Sequence, residues 1–112
     1  MSQLTSHILD TSNGKPAAGI VITLFLGEND EWTEIARGTS NQDGRVSDLL
    51  KKGVLLQAGI YKLRFETKDY YDKHQIPTFY PYVEIVVDIR SGEHYHIPLL
   101  LSPFGYSTYR GS

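Results

Sequence analysis

The sequence predicts an all-β sandwich. Apolar residues recur at every second position in several segments, the period of a strand with one buried face. Clusters of turn-forming residues separate those segments at short intervals. Only one stretch breaks the pattern, and no helical periodicity runs long enough for a bundle or a dinucleotide-binding unit.

The elements follow in order. "LTSHILD" is the first strand, and it places His7 on the same face as Thr5 and Leu9. "SNGKP" turns the chain. In "GIVITLFLG", Ile20, Ile22, Leu24 and Leu26 fall on one face, with Val21, Thr23 and Phe25 on the other. "GENDE" is the next turn, and "EWTEIARGTS" is a strand closed by the tight turn "NQDGR". After a turn near Gly59, "IYKLRFET" sets Tyr61, Leu63, Phe65 and Thr67 against Lys62, Arg64 and Glu66. One face is buried there, and the charged trio reads as a plain wet face. "TKDYYDKHQIP" is polar, poor in β-formers and bounded by Pro77, which predicts a short helix of about two turns with His74 exposed. "YVEIVVDI" aligns Val83, Ile85, Val87 and Ile89. "SGE" leads into the strand "HYHIPLLL", and "SPFG" leads into the tail "YSTYRGS". The total is about seven or eight short strands. Tyr70, Tyr71, Tyr80 and Tyr82 read as aromatic packing that could extend to an oligomer interface.

The 112 residues suit one domain, spanning 1–112, with 40% apolar and 21% charged residues in an ordinary globular mixture. The formal net charge is −2 with the signs interspersed, so a nucleic-acid backbone is an unexpected partner. There is no cysteine, which excludes disulfide stapling, thiolate catalysis and cysteine-ligated zinc. The start "MSQLTSHILD" lacks the pattern of a secretory signal, and no apolar run nears the ~20 residues that span a bilayer. A cytoplasmic protein with no membrane partner is the simplest reading.

Chemistry has few places to reside. There is no nucleophile elbow, phosphate loop or H-E-x-x-H helix, so catalysis would rest on histidine, arginine and water. His94 and His96 are two apart on a strand and share a face. Taken singly, each histidine reads most simply as a hydrogen-bonded structural residue. With His7 they could also form a three-imidazole zinc site with an open position. Arg45, after "NQDG", reads by itself as a solvated turn arginine.

Four segments together carry a resemblance. "LTSHILDTSNGKPAAGI", "DGR", "GIYKLRFET…FYPYVEIVV" and "HYHIPLLLSPFGYSTYRGS" resemble the 5-hydroxyisourate hydrolases, the transthyretin-related family, over essentially the whole chain. The resemblance implies an eight-stranded transthyretin-like sandwich with one short helix. It implies a homotetramer, a dimer of dimers, with sites at the subunit interface. The substrate implied is 5-hydroxyisourate, hydrolysed at a ring lactam to 2-oxo-4-hydroxy-4-carboxy-5-ureidoimidazoline, with no metal and no cofactor. The family's motif residues fall on His7, Arg45 and His96 as the catalytic set. Its terminal motif falls on Tyr109, Arg110, Gly111 and Ser112, which join His7 and Arg45 in substrate binding. The tail is thus expected to form one side of a pocket. The competing expectation is a transthyretin-like carrier that binds an aromatic ligand without turnover.

Overall fold

The computed structural model describes residues 2–112. The strands are β1 (Leu4–Asp10), β2 (Lys15–Pro16), β3 (Val21–Glu28), β4 (Glu31–Thr39), β5 (Arg45–Val46), β6 (Gly59–Phe65), β7 (Val83–Ile89), β8 (Tyr95–Ser102) and β9 (Gly105–Thr108), with one helix, α1 (Thr67–Lys73), between β6 and β7. They form two sheets. One runs β2-β1-β8-β9, with β5 also paired to β1, and the other runs β4-β3-β6-β7. This is the transthyretin-like sandwich that the resemblance implied.

Alternation decides which face each strand buries. Ile22 and Leu24 of β3, Tyr61, Leu63 and Phe65 of β6, and Val83, Ile85 and Ile89 of β7 are buried on one side. Leu4 and Ile8 of β1 and Ile97, Leu99 and Leu101 of β8 are buried against them from the other sheet. The residues between them, Thr5, His7 and His96, therefore stand on the outer face of the first sheet.

β1 and β8 pair in parallel, from Leu4 opposite Tyr95 to Asp10 opposite Leu101, whereas the other ladders are antiparallel. A parallel neighbour requires a crossover connection. Here the crossover is the entire second sheet with its helix.

The two-residue strands β2 and β5 fall where the sequence predicts turns. Each extends only as far as it can pair with β1. The turn before β5 depends on Gly44, whose φ of +73° suits glycine. A Cβ there would come within 2.4 Å of the Ile8 carbonyl oxygen, so the turn can lie directly on β1.

Helix α1 is anchored through its two tyrosines, as the packing expectation required. Tyr70 and Tyr71 donate hydrogen bonds to Asp10 Oδ2 at 2.9 Å and Oδ1 at 3.4 Å. Asp10 is only 1% exposed and also accepts from the Ser12 amide and hydroxyl. Burial, with the Asp10 hydrogen bond and charge, pushes the Tyr70 hydroxyl up to about 12. His74, just past the helix, is exposed as expected.

One surface expectation needs correction. Lys62 does not lie on a plain wet face, because its side chain is only 12% exposed. Its ammonium sits 4.4 Å from the Trp32 ring centroid and 5.0 Å from that of Phe25, and it pairs with Glu84 at 3.3 Å. Phe25 of β3 and Trp32 of β4 present their rings to the ammonium, which also stays paired with Glu84.

Candidate active site

The outer face of the first sheet collects three of the chain's four histidines, His7, His94 and His96. His7 stands directly opposite Arg45 in the β1–β5 ladder, and Thr5 stands opposite His96 in the β1–β8 ladder. Next to them is a cavity of about 240 Å³, lined by Thr5, Ser6, Arg45, Val46, Ser47, His94, His96 and Ser112. His7 flanks this cavity through its pairing with Arg45 and is not part of the lining.

The tail reaches the cavity by continuing the sheet. β9 pairs with β8, and Thr108 Oγ1 donates to the Pro98 carbonyl at 2.6 Å. The Gly111 amide then donates to the His96 carbonyl at 2.8 Å, an isolated antiparallel bridge. Gly111 lies so close that a Cβ on it would meet His96 Cδ2 at 2.6 Å. Ser112 follows into the cavity lining.

Tyr109 and Arg110 are placed differently. They line a larger groove of about 330 Å³ with Val86, Val87, Asp88, Tyr95 and Thr108, where β7 and β9 come near each other. Arg110 pairs with Glu93 and lies 4.4 Å over the Tyr95 ring. That pairing holds the Glu93 carboxyl below its usual range. Within one chain, the tail therefore divides between two depressions, with Gly111 and Ser112 on the histidine side.

Thr5 is a functional candidate not singled out from the sequence. Its hydroxyl is 2.9 Å from His94 Nε2 and 2.8 Å from His96 Nδ1. The available signal was its two-residue spacing from His7, which puts it on the same face. His94 itself is exposed, and its ring lies 6.4 Å from that of His96, tilted 21° from parallel. Both rings turn a nitrogen to the same hydroxyl. Among the described residues, no group of three or more His, Cys, Asp or Glu is arranged to hold a metal ion.

The electrostatics favour a neutral His96. Burial lowers its pKa below the usual histidine range, and the positive charges of Arg45, His94 and His7 lower it further. With Nδ1 anchored on Thr5, Nε2 makes no hydrogen bond to any described residue. A neutral imidazole beside an arginine fork can accept a proton from water while the arginine holds a developing negative charge.

Comparison with known proteins gives the family of the chain. The model of the HIUase/Transthyretin family matches residues 4–111. A Schizosaccharomyces pombe protein described as "Probable 5-hydroxyisourate hydrolase" is 49% identical over 97% of this chain and 90% of its own length. Among solved structures, the 5-hydroxyisourate hydrolase of Klebsiella pneumoniae superposes with a TM-score of 0.85 at 35% identity, covering 97% of this chain and 98% of that one. Sea bream transthyretin in complex with thyroxine superposes with a TM-score of 0.90 at 32% identity, covering 98% and 95%. Sequence, fold and matched span lead to one assignment: the chain belongs to the HIUase/Transthyretin family.

Proposed function

We propose that this chain is a hydrolase that opens 5-hydroxyisourate, the product of urate oxidation, at a ring lactam to give 2-oxo-4-hydroxy-4-carboxy-5-ureidoimidazoline. The observation that carries the reading is the union of Arg45, His96 and Ser112 around one cavity, with His7 paired to Arg45. Relatives bearing the hydrolase name support it. The fold does not choose between hydrolase and carrier, because transthyretin superposes just as well. Two imidazoles and a guanidinium converging on one cavity favour turnover over storage of an aromatic ligand.

Hydrolysis of a cyclic amide needs activated water, a stabilised carbonyl oxyanion and a proton for the leaving nitrogen. His96, held neutral, takes the proton from water and stands ready to return it. The Arg45 guanidinium faces the carbonyl oxygen as negative charge builds. His7, opposite Arg45, orients that arginine and the ring. Ser112 binds from the tail side, and Gly111 keeps the backbone tight on His96. Tyr109 and Arg110 cover substrate from a neighbouring subunit's edge.

That last role rests on a homotetramer, a dimer of dimers. Each sheet ends in an open edge, β7 on one and β9 on the other, and the groove between them carries exposed Val86, Tyr109 and Arg110. Phe79 and Phe104, in turns elsewhere on the chain, are 72% and 70% exposed and add apolar surface for a partner to cover. Residues 1–112 work as one domain, in the cytoplasm, where a chain without cysteine needs no oxidative folding. The test is the decay of ultraviolet absorbance of freshly generated 5-hydroxyisourate, measured against its spontaneous rate. Acceleration supports the hydrolase, and ligand binding with no acceleration supports the carrier.

A further inference from the structure

We propose that the Thr5 hydroxyl couples the rings of His94 and His96, so that Thr5 and His94 are positioning residues that set where the proton sits on His96. Its kinetic consequence rests on the hydrolytic reading above, whereas the coupling rests on geometry alone.

A hydroxyl has one proton to give. Thr5 Oγ1 lies 2.9 Å from His94 Nε2 and 2.8 Å from His96 Nδ1, so it can donate to one ring only, and the coupling requires that it do so while accepting from the other. Two neutral arrangements satisfy this. In the first, His96 donates from Nδ1, Thr5 donates to His94 Nε2, and His96 Nε2 keeps a lone pair. In the second, His94 donates from Nε2, Thr5 donates to His96 Nδ1, and His96 Nε2 carries the proton. The first makes His96 a base toward the cavity, and the second makes it an acid. In either arrangement the two rings share one tautomer, both Nδ1–H or both Nε2–H.

The same link can move charge. When Nε2 of the base form takes a proton from water, the N–H bond at His96 Nδ1 breaks and an O–H bond forms on Thr5. The original Thr5 O–H bond breaks and an N–H bond forms on His94 Nε2. Thr5 ends neutral and the positive charge has moved to His94. The step needs no further reactant, and its reversal restores the acid for the leaving nitrogen.

The surroundings favour that direction. His96 is half-buried and faces the positive groups Arg45 from β5, His7 from β1 and His94 from the approach to its own strand, with Ser112 entering from the tail. His94 is exposed and also lines a second depression of about 220 Å³ with Ser2, Gln3, Leu55 and Gly92. The ring is thus shared between the inner cavity and an outer one, where water can exchange its proton. The connection is well held. Thr5 is buried and β-branched, which restricts its χ1. Gln3 Nε2 donates to the carbonyls of Ser91 and Glu93 and fixes the backbone leading into His94.

The experiment reads imidazole tautomers by long-range proton–nitrogen-15 NMR on the substrate-free protein, in wild type, Thr5→Ser and Thr5→Val. Matching tautomers are expected in wild type and Thr5→Ser. Thr5→Val should shift the tautomer or the titration of His96, and kcat/KM should fall at least about tenfold with a displaced low-pH limb. Opposite tautomers in wild type, or Thr5→Val rings that titrate as in wild type, overturn the proposal. If Thr5→Val does not fold, His94→Phe decides: with no partner ring to exchange a hydrogen bond with Thr5, the His96 tautomer ratio should change, and an unchanged ratio overturns the proposal. These spectra need no turnover. Coupled rings in a protein that does not hydrolyse 5-hydroxyisourate would sink the activity and leave the coupling standing.

Discussion

The backbone of Gly111 is packed against the ring of His96, with its amide bonded to the His96 carbonyl at 2.8 Å and no room for a Cβ, which would meet Cδ2 at 2.6 Å. Gly111→Ala must therefore displace either the tail or the ring. A shift of ~1 Å in a catalytic group can cost about 10²-fold in rate. We expect a loss of that order in kcat/KM with an unchanged melting profile. A wild-type rate would show that the contact is incidental.

Replacing the three polar groups should separate their roles. His96→Asn removes the base, and general-base catalysis contributes about 10²- to 10⁴-fold. Arg45→Lys keeps the charge but loses the fork, with an expected cost of about 10²- to 10³-fold in kcat. His7→Asn should act through Arg45, so in the double variant the two effects should be less than additive. Full additivity in the absorbance assay would argue against that partnership.

His96 is held below the usual histidine value of 6.5, first by burial and then by Arg45, His94 and His7. The base form is thus present at neutral pH, and kcat/KM should fall about tenfold per pH unit below the folded pKa. Stability follows the same direction. The ring's contribution is complete above its unfolded pKa and is lost as pH falls through the lowered folded value. Arg45→Gln removes one of the causes, so the NMR titration of His96 should move to higher pH. An unmoved titration would remove Arg45 from the explanation.

Ser112 lines the cavity whereas Tyr109 and Arg110 line the β7–β9 groove. Residues added after Ser112 should fill or cover the cavity and depress activity far more than residues added before Met1. Deleting residues 109–112 should abolish hydrolysis and also weaken self-association. Sedimentation and the absorbance assay, run on the same samples, distinguish the two effects.

Asp10→Ala tests the buried anchor of α1. It leaves the Tyr70 and Tyr71 hydroxyls without their acceptor, at a cost of about 1–3 kcal/mol per stranded group. Urea unfolding should show the loss, with kcat/KM little changed in the folded fraction. Unchanged stability would mean that the two hydroxyls find other partners.

The sandwich was legible because alternation is local. "IYKLRFET" states its own buried face, and "TKDYYDKH" states its own departure from it. The strands β2 and β5 were not legible, since pairing with β1 makes them strands and no propensity of Lys15–Pro16 or Arg45–Val46 does. His7, Arg45 and His96 were proposed through resemblance, because no spacing joins positions so distant. Thr5 escaped notice for a related reason. A strand threonine is commonplace until the β1–β8 register places it opposite His96. The shielding of Lys62 likewise needed three neighbouring strands to be in place.

The parallel β1–β8 ladder joins residues about ninety positions apart, as Ser6 and Ile97 are through a side-chain bond with a sequence separation of 91. Closing so long a loop is slow, and it cannot proceed by local steps. Thr5 meets His94 and His96 only after that closure, and Arg45 joins only once β5 has docked on β1. No partly folded form of this chain can therefore be partly active. Its catalytic rate, followed during refolding, would report the later of two events, closure of the sandwich and association of the subunits, and only the second depends on protein concentration.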